Sequence, residues 1–194
     1  MTDQNIRTQI IDAAEDCFSQ YGYNKTTLAE IARDCNMSAA NLYRYFDNKL
    51  DLGAAIAHQC LERKEDELTV IVRDDAMASA DKLQAFIFKI LHYTFNRFND
   101  SPRISELVEV MGEQRPDVMA AHRQSSFNLL KELLEQGKQR GEFIFDNVDD
   151  TSDAINMALI GFQLPPIMSM FSLEEFEQKA KVVFELIQNS IKVR

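Results

Sequence analysis

The sequence predicts an all-α protein of about nine helices. It opens with a three-helix helix-turn-helix unit and continues as a larger helical domain. Three observations carry this. Gly and Pro are scarce, 6 and 4 in 194 residues, and helix interiors tolerate few of either. Apolar residues, 45% of the chain, recur at spacings of three and four along most of its length, as one face of a helix requires. Two segments, Thr27-Leu28-Ala29-Glu30 and Ser172-Leu173-Glu174-Glu175, read as capping boxes, in which a hydroxyl takes the amide three residues on and that residue's carboxylate takes the cap's own amide. No segment alternates convincingly with period two. Phe143-Ile144-Phe145 is too short for more than a loop packed on the core.

The elements follow in order. Ile6, Ile10, Ala13, Ala14, Cys17, Phe18 and Tyr21 stripe a first helix over 5–21, ended by Gly22 as C-cap. Thr27 opens a second, with Leu28, Ile31 and Ala32 inward, stopping near Asp34. Asn36 then supplies the left-handed residue a tight turn needs. Ser38 caps a third helix, Ala39 to Tyr45. Two short helices so separated, after a longer one, form a helix-turn-helix with its supporting helix. Asp47 or Asn48 caps a long fourth helix running past Leu68 to Val72. A fifth covers Ser79 to Phe98. Ser101-Pro102 reads as a cap with Pro at the first helical position of a short sixth, ending near Met111. Pro116 opens a seventh, closed at Arg140-Gly141-Glu142. Asp150 or Thr151 starts an eighth, ended or kinked at Pro165-Pro166. The second capping box starts a ninth, lined by Phe176, Val183, Phe184, Ile187 and Ile191.

Charge argues against a nucleic-acid partner. The formal net charge is -10. It is uneven: residues 1–50 hold five Lys/Arg and seven Asp/Glu, the remainder 16 and 24. A nucleic acid senses the potential of the docking face rather than the total, although an acidic body weakens non-specific binding. Cys17, Cys35 and Cys60 are odd in number and share no metal-ligand spacing. The polar start at Met1 to Asn5 and the absence of a long apolar run lead us to expect a cytoplasmic protein with reduced thiols and no membrane partner. No Gly-rich phosphate loop, nucleophile elbow or metal-binding His pair is present, and His58, His92 and His122 are scattered. No enzyme activity, cofactor or metal is expected.

Residues 8–53 closely resemble the DNA-binding domain of the TetR (tetracycline repressor) family. The matching positions are Ile10-Ile11-Asp12-Ala13-Ala14, Phe18, Gly22-Tyr23, Thr26-Thr27, Ile31-Ala32, Met37-Ser38, Leu42-Tyr43, Tyr45-Phe46, Asn48-Lys49 and Leu52. Their order and spacing fit without insertion. The family usually has Gly where this chain has Asn36. The resemblance implies a DNA-binding domain over 1–48 and a helical effector-binding and dimerisation domain over 49–194. It further implies a repressor that binds a palindromic double-stranded operator as a homodimer and is released by a small, largely apolar effector.

The resemblance places the third helix in the major groove. Its exposed early positions are Ala39, Ala40 and Asn41. Asn41 can bond bidentately to adenine, and either Ala can touch a thymine methyl; equally, Asn41 merely occupies the helix start. Tyr43 resembles the family's phosphate-contacting tyrosine and Lys49 its phosphate clamp at the N-terminus of the fourth helix. Thr27 is a further phosphate contact or simply a cap. Arg44 and Lys25 are extra phosphate contacts or isolated surface charges. Such contacts position the protein, while base contacts specify the site.

The family's dimer is built from the last two long helices. Ile155, Leu159, Phe162, Phe176, Val183, Phe184 and Ile187 suit it, and suit a monomer core equally. The middle of the chain is rich in Phe and Met, which suits a greasy effector or an ordinary helical core. Effector-pocket candidates are Phe86, His92, Phe95, Asn96, Met119, Arg123, Phe127, Met157 and Gln163, with Tyr93, His122 and Asn156 as further polar contacts. A helical interaction module that has lost DNA binding is the rival supported by the acidity and by Asn36. Retention of Tyr43 and Lys49 speaks against it.

Overall fold

The computed structural model describes residues 3–101 and 103–193. Among them run nine α-helices: α1 (Asp3–Tyr21), α2 (Leu28–Asp34), α3 (Ala39–Leu42), α4 (Lys49–Val72), α5 (Ser79–Asp100), α6 (Ile104–Gln114), α7 (Pro116–Gln139), α8 (Val148–Ala158) and α9 (Leu173–Ile191). Short 3-10 turns at Ile160–Phe162 and Pro165–Ser169 join α8 to α9. Two antiparallel residues, Phe143 and Lys192, make an isolated bridge.

Both capping boxes form with all their bonds. Asn36 takes φ 55, the left-handed conformation its place in the turn demands. Three expectations change. The third helix is a single turn, Ala39–Leu42, with Tyr43 at its C-cap; Tyr45 and Phe46 still bond back to the Leu42 carbonyl. The eighth helix is capped by Asn147, not Asp150 or Thr151, because the Asn147 side-chain Oδ1 takes the backbone amides of Asp149 and Asp150. The sixth starts at Ile104; Pro102, expected at its first position, lies outside the described residues.

The chain divides into two compact units, Met1–Glu62 with Arg97–Ala120, and Arg63–Asn96 with Ala121–Arg194. These units do not follow the division expected after residue 48: the first part of α4, the end of α5 and all of α6 belong with the helix-turn-helix. The first unit buries Ile10, Phe18, Ile31, Leu42, Leu52 and Ile56 together with Leu107 and Met111 of α6.

The second unit buries Leu68, Val72, Phe86, Leu130, Leu133, Leu159 and Phe176. Phe176 meets Phe95, Phe162 and Phe171 edge-on, with centroids 5.3–6.3 Å apart, a favoured aromatic geometry. Lys82 is wholly buried. Its ammonium donates to the Val72 carbonyl (2.7 Å), at the C-terminus of α4, and to Gln136 Oε1 (2.8 Å). A cation there meets the negative end of the helix dipole. Gly137 has no side chain because the Phe143 ring fills the place: an added Cβ would lie 2.2 Å from Cδ2.

Candidate nucleic-acid interface

The first unit builds its presenting surface around α3. Leu42 is fully buried and Phe46 nearly so, which seats the turn on α1 and α2. Ser38 Oγ takes the Asn41 amide (3.2 Å), fixing the start of α3. Ala40, Tyr43 and Arg44 are then exposed, and Ala39 and Asn41 half-buried. Tyr43, 53% exposed, offers its phenol to whatever meets this face. Arg7 caps the Phe46 ring at 4.7 Å.

The other cations divide. Lys25 is exposed. Lys49 is not free as the clamp expected of it. Its ammonium donates to the carbonyls of Tyr23 (2.8 Å) and Thr26 (3.1 Å) and lies 4.4 Å from the Tyr23 ring centroid. Burial pushes its pKa down, with Glu106 partly restoring it. Lys49 thus ties the start of α4 to the α1–α2 loop. Thr27 is similarly committed: its Oγ1 donates to Glu30 Oε2 (2.7 Å) and takes the Glu30 amide (3.3 Å).

Residues that the sequence reading passed over brace this surface. At the N-cap of α6, Arg103 donates to the Tyr21 carbonyl (2.8 Å), and on α6 the Glu106 carboxylate takes the Asn24 backbone amide (3.1 Å). Gly22, at φ 91, leaves room for that carboxylate. On α5, Arg97 pairs with the buried Glu15 of α1 and donates to Cys60 Sγ of α4 (3.0 Å). Cys17 is pushed up to about 12, first by burial and then by its bond to Asp34, so it is a thiol at neutral pH. None of these long-range pairs has a signal in local spacing.

In the second unit the effector candidates scatter. Phe86 is buried; His92, Phe95, Phe127 and Gln163 are half-buried. Asn96 and Arg123 are exposed, and Met157 is 58% exposed, so these three do not face an interior. Met119 packs against the first unit's core instead. His92 Nε2 meets Glu177 Oε1 at 2.6 Å, both near the surface. Gln163 donates to Asn156 (3.3 Å). The interior polar groups lie elsewhere. The Glu65 carboxylate of α4 takes a bond from His122 Nδ1 (2.6 Å) and one from Ser125 Oγ (2.7 Å), both on α7.

The dimer candidates are mostly covered by the chain itself. Ile155, Leu159, Phe162, Phe176 and Phe184 are buried within the chain's own core, so they offer little surface to a partner. Val183 and Ile187 are half-buried. The apolar side chains left exposed nearby are Met157, Ile160, Val182 and Leu186, the last at 65%. A shallow groove between α8 and α9 runs along Ala154, Ile155, Leu186 and Ile187.

No group of three or more His, Cys, Asp or Glu among the described residues is placed to hold a metal ion. No helix among them is long and apolar enough to cross a membrane.

Comparison with known proteins gives two family matches. Residues 10–56 match the bacterial regulatory proteins of the tetR family, and residues 79–184 match a tetracyclin repressor-like C-terminal domain. The chain is 32% identical over 93 residues to the biofilm operon icaADBC HTH-type negative transcriptional regulator IcaR of Staphylococcus epidermidis. That match covers 48% of this chain and spans about half (49%) of the relative. It is 25% identical over 171 residues to the HTH-type transcriptional repressor BepR of Brucella suis, covering 80% of this chain and 77% of that one. A crystal structure of a TetR-family regulator from Mesorhizobium loti superposes over all of both chains with a TM-score of 0.82 at 17% identity, which is a likeness of fold.

Proposed function

The chain belongs to the tetR family of bacterial regulatory proteins, and from that premise we propose that it represses transcription by binding a palindromic operator as a homodimer, and that a small effector releases it. Membership sets it among DNA-binding regulators and not among enzymes. The observation that carries the operator reading is the surface of α3: a buried Leu42–Phe46 anchor presenting Ala40, Tyr43 and Arg44 outward, with Asn41 half-buried among them.

In this reading Asn41 and the two alanines meet base edges, and Tyr43, Arg44 and Lys25 meet phosphates. One such turn reads few bases, so two copies reading half-sites about one helical turn, or a multiple of it, apart supply the rest. The exposed Val182 and Leu186 on α9 and the groove beside them are the surface we assign to the second copy. The effector acts by binding the released state more tightly than the DNA-bound one, and the second unit is its place.

Site selection from random duplexes tests the reading. The wild type should return an inverted repeat. Asn41→Ala should relax one position per half-site, by about 1–3 kcal/mol of discrimination. An unchanged consensus removes Asn41 from base readout, and no consensus at all removes the operator.

A further inference from the structure

The first unit holds a cleft that the operator reading does not use. It lies between the end of α1, the α1–α2 loop, the exposed side of α2 and the N-cap of α6. Its volume is about 440 Å³, and small-molecule sites run from roughly 300 to 1,000 Å³. Every residue lining it belongs to this one unit. Cys17 and Thr26, both buried, form its floor. Three cations, Lys25, Arg33 and Arg103, and two acids, Glu30 and Asp34, stand exposed around it, with Tyr21, 51% exposed, beside them.

The acids are engaged and the cations largely are not. Glu30 Oε2 accepts from the Thr27 amide and hydroxyl, and Asp34 Oδ2 accepts from the Cys17 thiol. Arg103 gives Nη1 to the Tyr21 carbonyl, and its planar fork carries further N–H groups. Among the described residues no hydrogen bond or ion pair engages Lys25 or Arg33. Cations gathered on one cleft repel each other and a metal ion, and favour an anion. A guanidinium matches phosphate oxygens bidentately. The second carboxylate oxygens of Glu30 and Asp34 accept from hydroxyl or ring N–H donors. The aromatic wall at Tyr21 takes a planar ring. A long apolar chain would find little here to cover it.

We propose that this cleft binds a phosphate monoester carrying hydroxyls and a planar ring, a compound of nucleotide type. Its phosphate sits on Arg33, Lys25 and Arg103, and its ring lies against Tyr21. The site belongs to the DNA-binding unit, so it is not the effector site assigned above to the second unit. The same phosphate chemistry has another source, the backbone of DNA, and the test separates the two.

Calorimetric titration of the full chain without DNA tests it, at about pH 7.5, where a phosphate monoester is mostly dianionic. The probes are adenosine and uridine 5′-monophosphates, each against its nucleoside and against ribose 5-phosphate. At least one nucleotide should bind about tenfold or more tighter than its nucleoside. Arg33→Gln should weaken that nucleotide about tenfold, as loss of a charge-assisted hydrogen bond does, and leave the nucleoside unchanged. Tyr21→Leu should remove about fivefold or more of the advantage over ribose 5-phosphate, the loss of one stacked base. Both side chains are exposed, so melting of the two variants should match the wild type. The proposal is overturned if neither nucleotide binds, if the nucleosides bind equally well, or if the Arg33 variant holds the nucleotide as the wild type does. Absence of nucleotide binding together with a salt slope of DNA binding reduced by about 1 in Arg33→Gln would give these cations to the DNA backbone instead. Because binding is read without DNA, it can stand or fail independently of the operator.

Discussion

Asn36 holds φ 55 in the turn between α2 and α3. Asn adopts this region at modest cost, whereas a β-branched residue does not. Asn36→Val is expected to lower stability by about 1–2 kcal/mol, seen as a clear drop in melting temperature, while Asn36→Gly melts at or above the wild type. Lys49 calls for a different measurement. With its ammonium on the Tyr23 and Thr26 carbonyls, Lys49→Ala should cost about 1.5–3 kcal/mol of stability and leave the salt dependence of DNA binding nearly unchanged. Arg44→Ala should leave melting unchanged and reduce the salt slope by about 1. The reverse pattern would return Lys49 to the phosphate role. The turn at Asn36 was legible because its position between two caps requires a positive φ. The direction of Lys49 was not, because a flexible four-carbon stem at a helix start reaches outward or back with equal ease, and the choice depends on carbonyls 23 and 26 residues away.

At the scale of elements, the helix starts carry the clearest expectations. Thr27→Ala and Ser172→Ala should each cost about 1 kcal/mol. Bonding to Thr27 holds the Glu30 carboxyl below its ordinary 4.5, and bonding to Ser172 does the same for Glu175. A carboxylate depressed on folding stabilises fully above its unfolded value and loses that contribution as pH falls through the lower folded value. The melting temperature of the wild type should therefore fall through this acid range, and the two cap variants should flatten that limb. Gly137→Ala should destabilise strongly, because its methyl would occupy the Phe143 ring position. Both capping boxes were legible, since residue types and spacing suffice for them. The start of α8 was not: Asn147, Asp150 and Thr151 are all competent caps, and only the position of the backbone selects Asn147. The bracing of the α1–α2 loop by Arg103 and Glu106 spans 82 residues, and periodicity holds no record of such pairs.

Over the whole molecule, the division into units cuts α4, α5 and α7 rather than falling between helices. The sequence points to a boundary at 48, just before α4, and is silent on α6, which joins the helix-turn-helix through contacts distant in sequence. Most of the residues expected at a dimer surface are covered by the chain itself, for a related reason. An apolar stripe shows which positions avoid water and is silent on whether the chain itself or a second copy covers them. The exposed positions decide. Leu186→Glu should convert a sedimenting dimer to a monomer with an unchanged helical spectrum and a large loss of operator affinity; a variant that remains dimeric would put the interface elsewhere. The net charge of -10 makes salt concentration part of any binding statement. The most direct test of the regulator account is retention of genomic DNA fragments by the purified protein at a stated low salt, with sequencing of what is held. The account predicts recovery of a palindromic site beside a promoter, lost when Tyr43 and Arg44 are both replaced by Ala. Retention of nothing at any salt, or of fragments without a shared inverted repeat, would contradict it.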